Sequence, residues 1–226
     1  MTLPLTPRNN ICRGGSHPPV NPVISRKGNV MGKIFYIMGK SASGKDSIYR
    51  KMLEKEELNL QKMVLYTTRP IRQGEVDGNE YFFVDNDAFK QFKNTGKVIE
   101  ARSYDTVHGI WTYFTADDGK MDLDKYDYIC IGTLESYRQL ADYYGENSIC
   151  PIYIEVEDGE RLRRAIKREG KQEKPVYEEV CRRFLADSED FSEDKISATG
   201  KVKRFLNHDK EGCRAEVGKY IKSVVL

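Results

Sequence analysis

Short, unbroken apolar runs alternate with stretches of helical period along this chain, and that alternation predicts an α/β fold. The run Lys33 to Met38 (KIFYIM) has no polar face, as expected of a strand buried on both sides of a parallel sheet. A glycine-bearing turn follows, and Asp46 to Glu57 then places Ile48, Met52 and Leu53 at helical spacing. Val64 to Thr67 and Glu80 to Val84 are the next strand candidates; an aspartate after the second caps a helix over roughly Asp87 to Asn94, ended by Gly96. Lys97 to Ala101 and Thr112 to Phe114 are further short strands. Tyr128 to Ile131 resumes the buried pattern, Thr133 caps a helix running to Tyr144, and Ile149 to Val156 is another strand. Two highly charged helical stretches follow, Asp158 to Arg168 and Pro175 to Phe191, with Pro175 suited to a first helical turn. Val202 to Leu206 is the last strand and Glu211 to Val225 a closing helix. Strands separated by helices imply a parallel sheet covered on both faces.

Composition narrows the class. A chain of 226 residues, 39% hydrophobic and 32% charged, suits one globular domain with inserted lobes. No apolar stretch approaches the ~20 residues of a membrane span, so a cytoplasmic protein without a membrane partner is expected. The five cysteines show no C-x-x-C pairing and read as free thiols in a reducing compartment. The net charge of +2 is uneven: residues 1–30 hold Arg8, Arg13, Arg26 and Lys27 and no acid, leaving about −2 on the remainder. A mildly acidic body gives no electrostatic reason to expect nucleic acid as a partner. Five of the eight prolines lie in that same leader, which lacks an apolar period and is expected to be disordered. It has no signal-peptide core, and its prolines oppose the amphipathic helix of a transit peptide. Arg26-Lys27-Gly28 can be encoded by purine-only triplets resembling a ribosome-binding sequence, so a translation start at Met31 stays open beside a translated leader.

The turn after the first strand carries the first chemistry. Gly39-Lys40-Ser41-Ala42-Ser43-Gly44-Lys45 fits G-x-x-x-x-G-K between a predicted strand and a predicted helix, the context a phosphate-binding loop requires. Its glycines let backbone N–H groups turn inward, and the helix N-terminus adds positive potential. Lys45 would lie along the β- and γ-phosphates of ATP. The next residue, ordinarily Ser or Thr, is Asp46. A carboxylate is a hard oxygen ligand, making Asp46 the candidate for Mg²⁺, directly or through water; an acid complementing the helix dipole is the plainer alternative. Ser47 is a weaker ligand candidate.

Thr67-Thr68-Arg69-Pro70-Ile71-Arg72-Gln73-Gly74-Glu75-Val76-Asp77-Gly78-Asn79-Glu80-Tyr81-Phe82-Phe83-Val84 resembles the acceptor-site signature of the guanylate kinase family at every fixed position. The likeness of lobe order covers about residues 33 to 210. It implies a P-loop NTPase-type parallel sheet flanked by helices, with an inserted nucleoside-monophosphate-binding lobe (65–115) and a helical lid (157–186) on a core of 31–64, 116–156 and 187–226. It also implies that Arg69, Arg72 and Tyr81 hold the acceptor phosphate, and two guanidinium forks with a phenol suit a dianion. Glu100 matches the guanine-reading glutamate, since guanine offers adjacent N1–H and N2–H donors where adenine offers a lone pair; a solvated strand-end glutamate is the alternative. Arg168 and Arg183 match the lid arginines that reach the transferring phosphate, with Arg164 and Arg182 as rivals, and Arg161, Arg164 and Arg168 share one helical face. Asn207 resembles the asparagine at the adenine of ATP.

The base side departs from the family. Leu65 replaces a serine that would donate to guanine O6, His108-Gly109-Ile110 stands where Tyr-Gly-Thr or Tyr-Gly-Ser is usual, and Cys130-Ile131-Gly132 replaces Asp-x-Asp. His108 then serves the phosphate only as a donor imidazole. The resemblance implies transfer of phosphate from ATP·Mg²⁺ to GMP or dGMP. A kinase of the same fold with another phosphorylated acceptor, and a non-catalytic binding module, remain as alternatives, and the oligomeric state is left open. Lys45, Arg69, Arg72 and Tyr81 are more than a binding module needs.

Overall fold

The computed structural model describes residues 31–106 and 109–225; the expectations for the leader and for His108 lie outside the described residues. In chain order the elements are β1 (Ile34–Met38), α1 (Lys45–Leu53), β2 (Leu60–Lys62), β3 (Tyr66–Thr67), β4 (Phe82–Phe83), α2 (Asn86–Asn94), β5 (Val98–Thr106), β6 (Gly109–Ala116), β7 (Asp127–Ile131), α3 (Leu134–Tyr144), β8 (Ile149–Glu155), α4 (Asp158–Glu169), α5 (Tyr177–Asp190), α6 (Glu193–Ser197), β9 (Lys203–Leu206) and α7 (Lys210–Val225). They form two units, one of residues 64–121 and one built from 31–63 and 122–225.

The larger unit holds a five-stranded sheet in the order β2-β7-β1-β8-β9, parallel throughout. All five residues of β1 are buried, which is why its sequence shows no polar alternation. Phe35 and Ile37 join Ile129, Ile152, Ile154 and Phe205 of the neighbouring strands in one core, closed by Ile48 and Met52 of α1 and by Cys213, Val217 and Ile221 of α7. Successive strand residues face opposite ways. Tyr36 accordingly packs against Tyr137 of α3, with ring centroids 5.7 Å apart. Thr133 caps α3, its hydroxyl accepting the Ser136 N–H, and Glu157 caps α4 by accepting the N–H groups of Gly159 and Glu160 at 2.8 Å.

The smaller unit is a four-stranded sheet ordered β4-β3-β6-β5, with β3 and β4 parallel and the other pairs antiparallel. Tyr66, Phe114 and Ala116 form its core with Phe82, Val84, Phe89, Phe92 and Val98, so α2 closes one face with aromatic rings. Asp85 caps that helix through the Ala88 N–H at 2.7 Å.

Several boundaries differ from the sequence reading, each for a local reason. β2 was not expected; it is an edge strand of three residues with only Leu60 buried, so it has no apolar run to announce it. The strand expected at Val64 to Thr67 contracts to Tyr66–Thr67. β5 and β6 extend well past the apolar segments because antiparallel pairing continues out to Thr106 and Gly109 through mostly exposed residues. Pro175 lies before α5 and not in its first turn, since Val176, at φ −121°, is the cap. α6 was also missed, its only buried residue being Ile196. Among the described residues no helix is long and apolar enough to cross a membrane.

Gly132, where the family pattern carries a carboxylate, has a packing reason. A Cβ there would lie 2.0 Å from the Tyr36 hydroxyl, which reaches across to donate to the Thr133 carbonyl at 2.9 Å. Gly132→Ala is therefore expected to destabilise the protein by ~1–3 kcal/mol through overpacking. Urea unfolding measures it, and an unchanged midpoint would mean that the phenol does not occupy that space.

Candidate functional site

The loop between β1 and α1 is built from constrained peptides. Gly39 (φ 155°) and Gly44 (φ 87°) take conformations that L side chains rarely adopt, and a Cβ on either would meet Ile154 O or Asn207 Nδ2 at 2.5 Å. Ala42 sits at φ 62° without that freedom, a strained position for a residue with a Cβ. The Ser43 N–H closes the turn on the Lys40 carbonyl at 3.2 Å. Among the described residues, the N–H groups of Ala42, Gly44, Lys45 and Asp46 have no protein acceptor. Such a row of unspent donors at a helix N-terminus suits an anion.

Lys45 stands beside it with its side chain 21% exposed and its Nζ 3.9 Å from Asp46 Oδ2. The Asp46 carboxylate is open to solvent, whereas the Ser47 hydroxyl accepts from Arg214 Nη2 at 2.6 Å. Asp46 is thus the freer oxygen ligand. Asn207, at the end of β9, is buried and donates its amide to the Ser43 carbonyl at 2.7 Å. A cavity of about 410 Å³ opens next to the loop, lined by Ala42, Gly44, Ser47, Arg164, Asn207 and His208 among others. Of the charged-helix arginines, Arg164 lines this cavity and donates to the Asn207 carbonyl at 3.2 Å. Arg168 is exposed. Arg182 and Arg183 share Glu179, which their hydrogen bonds pull down to about 2 against the opposing effect of burial. Arg161 is buried and paired with Asp187.

In the smaller unit, Arg69 is 3% exposed and grips Glu75 in two parallel bonds, Nη1 to Oε2 at 3.0 Å and Nη2 to Oε1 at 2.8 Å. Its guanidinium lies 5.7 Å from the ring centre of Tyr81 and 5.4 Å from that of Phe83. Burial disfavours its charge, but hydrogen bonds to Glu75 and Tyr113 outweigh that and keep it ionised. Its buried Nε finds no hydrogen-bond acceptor among the described residues. Burial pushes the Tyr81 phenol up, leaving a protonated donor at neutral pH. Arg72 is exposed, with its backbone N–H bound to Glu75 at 2.8 Å.

Glu100 lies on β5 opposite Thr115, whose hydroxyl donates to Oε1 at 2.8 Å, while Arg102 Nε donates to Oε2 at 3.1 Å. The carboxylate is fully buried. The structure thus gathers Lys45, Asp46, Ser47 and Asn207 around one loop, and Arg69 and Tyr81 around one guanidinium. Sequence reasoning assigned no role to Glu75, although it is a fixed position of the motif. Thr115 carried no signal, because only strand register makes it a neighbour of Glu100; Arg102, two residues along the same strand and so on the same face, could have been found from the alternation of a strand.

Known proteins give the family and the fold. Residues 31–194 match the family model described as guanylate kinase. The guanylate kinase of Nitrosomonas europaea is 28% identical over 204 residues, covering 85% of this chain and 90% of that protein. A guanylate kinase of Anaplasma phagocytophilum is 36% identical over 81 residues, which are 35% of this chain and 39% of that protein. A crystal structure of guanylate kinase from Anaplasma phagocytophilum shares the fold, with a TM-score of 0.56 at 21% identity over 86% of this chain and 87% of that one.

The Arg69–Glu75 pair has a pH signature. Hydrogen bonds from Arg69 hold the Glu75 carboxyl below its ordinary value of 4.5, so its contribution to stability is present above that pH and is lost as pH falls through the folded-state value. Glu75→Gln should lower the urea midpoint at pH 7 and flatten its dependence on pH below 4.5. The same acid slope in both proteins would show that the pair does not stabilise the unit.

Proposed function

Because the chain belongs to the guanylate kinase family, we propose that it transfers the terminal phosphoryl group of ATP to GMP or dGMP. The bond from the γ-phosphorus to the β,γ-bridging oxygen breaks and one to an acceptor phosphate oxygen forms, yielding ADP and GDP or dGDP. The acceptor is already an anion, so no general base is required, and catalysis is positioning plus charge neutralisation. The observation that carries this reading is the row of unpaired amides at Ala42, Gly44, Lys45 and Asp46 beside the Lys45 ammonium.

Lys45 neutralises charge on the transferring group. Asp46, an open carboxylate at the start of α1, would hold a Mg²⁺ ion, directly or through water; among the described residues no cluster of three or more metal-ligating side chains is present. When bound, that ion supplies further charge neutralisation. Arg69 and the exposed Arg72 hold the acceptor phosphate together with Tyr81. Glu75 orients Arg69. Asn207 serves ATP through the Ser43 carbonyl that it holds. Arg164, lining the loop-side cavity, is better supported than Arg168 or Arg183 as the arginine that reaches the donor phosphates.

One observation favours a second reading, a kinase acting on a different phosphorylated acceptor. Both Glu100 oxygens are already engaged and the carboxylate is closed to solvent, so a base must compete with Arg102 and Thr115 to reach it. ADP release measured across GMP, dGMP, AMP, CMP and UMP separates the two, and guanine nucleotides are expected to win.

Lys45→Ala should cut kcat by ~10³ or more, the scale of electrostatic contributions in phosphoryl transfer; turnover above a tenth of wild type would remove the loop from the active site. Glu100→Gln should erode GMP activity by ~1–3 kcal/mol of transition-state binding. The comparison is of kcat/KM for GMP against AMP, and an unchanged ratio would favour the second reading.

A further inference from the structure

The phosphate loop is gripped from outside by an ion pair that no part of the proposed chemistry uses. The Ser41 N–H donates to Asp187 Oδ2 at 2.7 Å, and the same oxygen accepts from Arg161 Nη1 at 3.1 Å. Arg161 Nη1 also reaches the Ser41 carbonyl at 3.4 Å. Both backbone polar groups of one loop residue are therefore held by two side chains, one from α4 and one from α5. Arg161 is 1% exposed, stacks 4.2 Å from the Phe184 ring centre, and is fixed at its other edge by Asp158, 3.1 Å from Nε. Lys40 Nζ lies 3.4 Å from that same Asp158 oxygen. Two cations face two carboxylates, so the cluster adds no net charge to repel a phosphate.

The consequence follows from peptide geometry. In a trans peptide the carbonyl and the next N–H point in opposite directions. Tying the Ser41 carbonyl to Arg161 aims the Ala42 N–H the other way, and tying the Ser41 N–H to Asp187 leaves the Lys40 carbonyl to accept the Ser43 N–H. Ala42, at φ 62°, keeps its left-handed conformation only where its surroundings over-determine it. The pair is that surrounding on its N-terminal side.

We infer that Arg161 and Asp187 are positioning residues for nucleotide binding, holding Ser41 so that the loop's amides are set before ATP arrives. The inference rests on the reading that this loop binds ATP. Arg161→Met with Asp187→Ala removes both charges together and strands neither, so the fold is expected to survive. Asp187→Asn keeps an oxygen for the Ser41 N–H but weakens the bond to Arg161. The readouts are Mg·ATP affinity by calorimetry, KM for GMP, and the thermal midpoint.

The double variant should bind ATP roughly tenfold more weakly, the scale of losing one or two charge-assisted hydrogen bonds, with KM for GMP within about twofold of wild type and Asp187→Asn falling between. ATP affinity unchanged in the folded double variant overturns the inference, as does an equal loss for ATP and GMP. If the double variant does not fold, Asp187→Asn decides alone, and unchanged ATP affinity in it counts against the pair. Wild-type protein that binds no ATP would instead remove the phosphate-loop reading itself.

Discussion

A peptide plane that has its carbonyl bound on one side presents its amide on the other, and the turn between β1 and α1 is organised by that constraint. Gly39 and Gly44 permit the turn, but permission does not select one arrangement. Selection comes from side chains elsewhere in the chain: Asn207 on the Ser43 carbonyl, and Arg161 with Asp187 on the two polar groups of Ser41. These residues lie at the end of β9 and on α4 and α5, far from the loop in sequence. The buried β1 strand fixes where the loop begins, and Ile48 and Met52 anchor the helix that follows it.

The smaller unit solves a different problem with the same means. One face of its sheet is closed by aromatic residues around Phe114, so the charged residues cluster elsewhere and must satisfy one another before a ligand arrives. Glu75 grips Arg69, and Arg102 with Thr115 grips Glu100. Buried charges persist only when paired and hydrogen-bonded, and such pairing also fixes direction. Arg69 keeps its buried Nε without an acceptor among the described residues. Glu100 has both oxygens engaged, so any ligand that reached it would have to displace a partner.

The base-side departures from the family pattern are not equivalent. Gly132 is explained by Tyr36, whose hydroxyl fills the space a side chain would need and bonds Thr133 in its place. The substitution follows from packing within the core. Nothing in the structure explains Leu65, while Ile110 is an exposed strand residue near the end of the β5–β6 pairing.

Fold class, the glycine-bearing loop and the arginine-containing motif were legible in the sequence because each rests on local rules. A strand buried on both faces must be apolar throughout, a loop that offers its amides needs glycine at fixed places, and a dianion needs guanidinium groups at short spacing. What pairs with what was not legible. Glu75 on Arg69 could be guessed from six residues of separation, but Asp187 on Ser41, Asn207 on Ser43 and Arg214 on Ser47 join positions 146, 164 and 167 residues apart. The strands β2 and the outer half of β5 were equally silent, since backbone pairing and not side-chain pattern makes them strands. The sequence by itself determined which amides, guanidinium groups and carboxylates the loop and the arginine motif carry; only the tertiary structure decided which of their hydrogen bonds are already spent, because that depends on neighbours that folding alone brings within three ångströms.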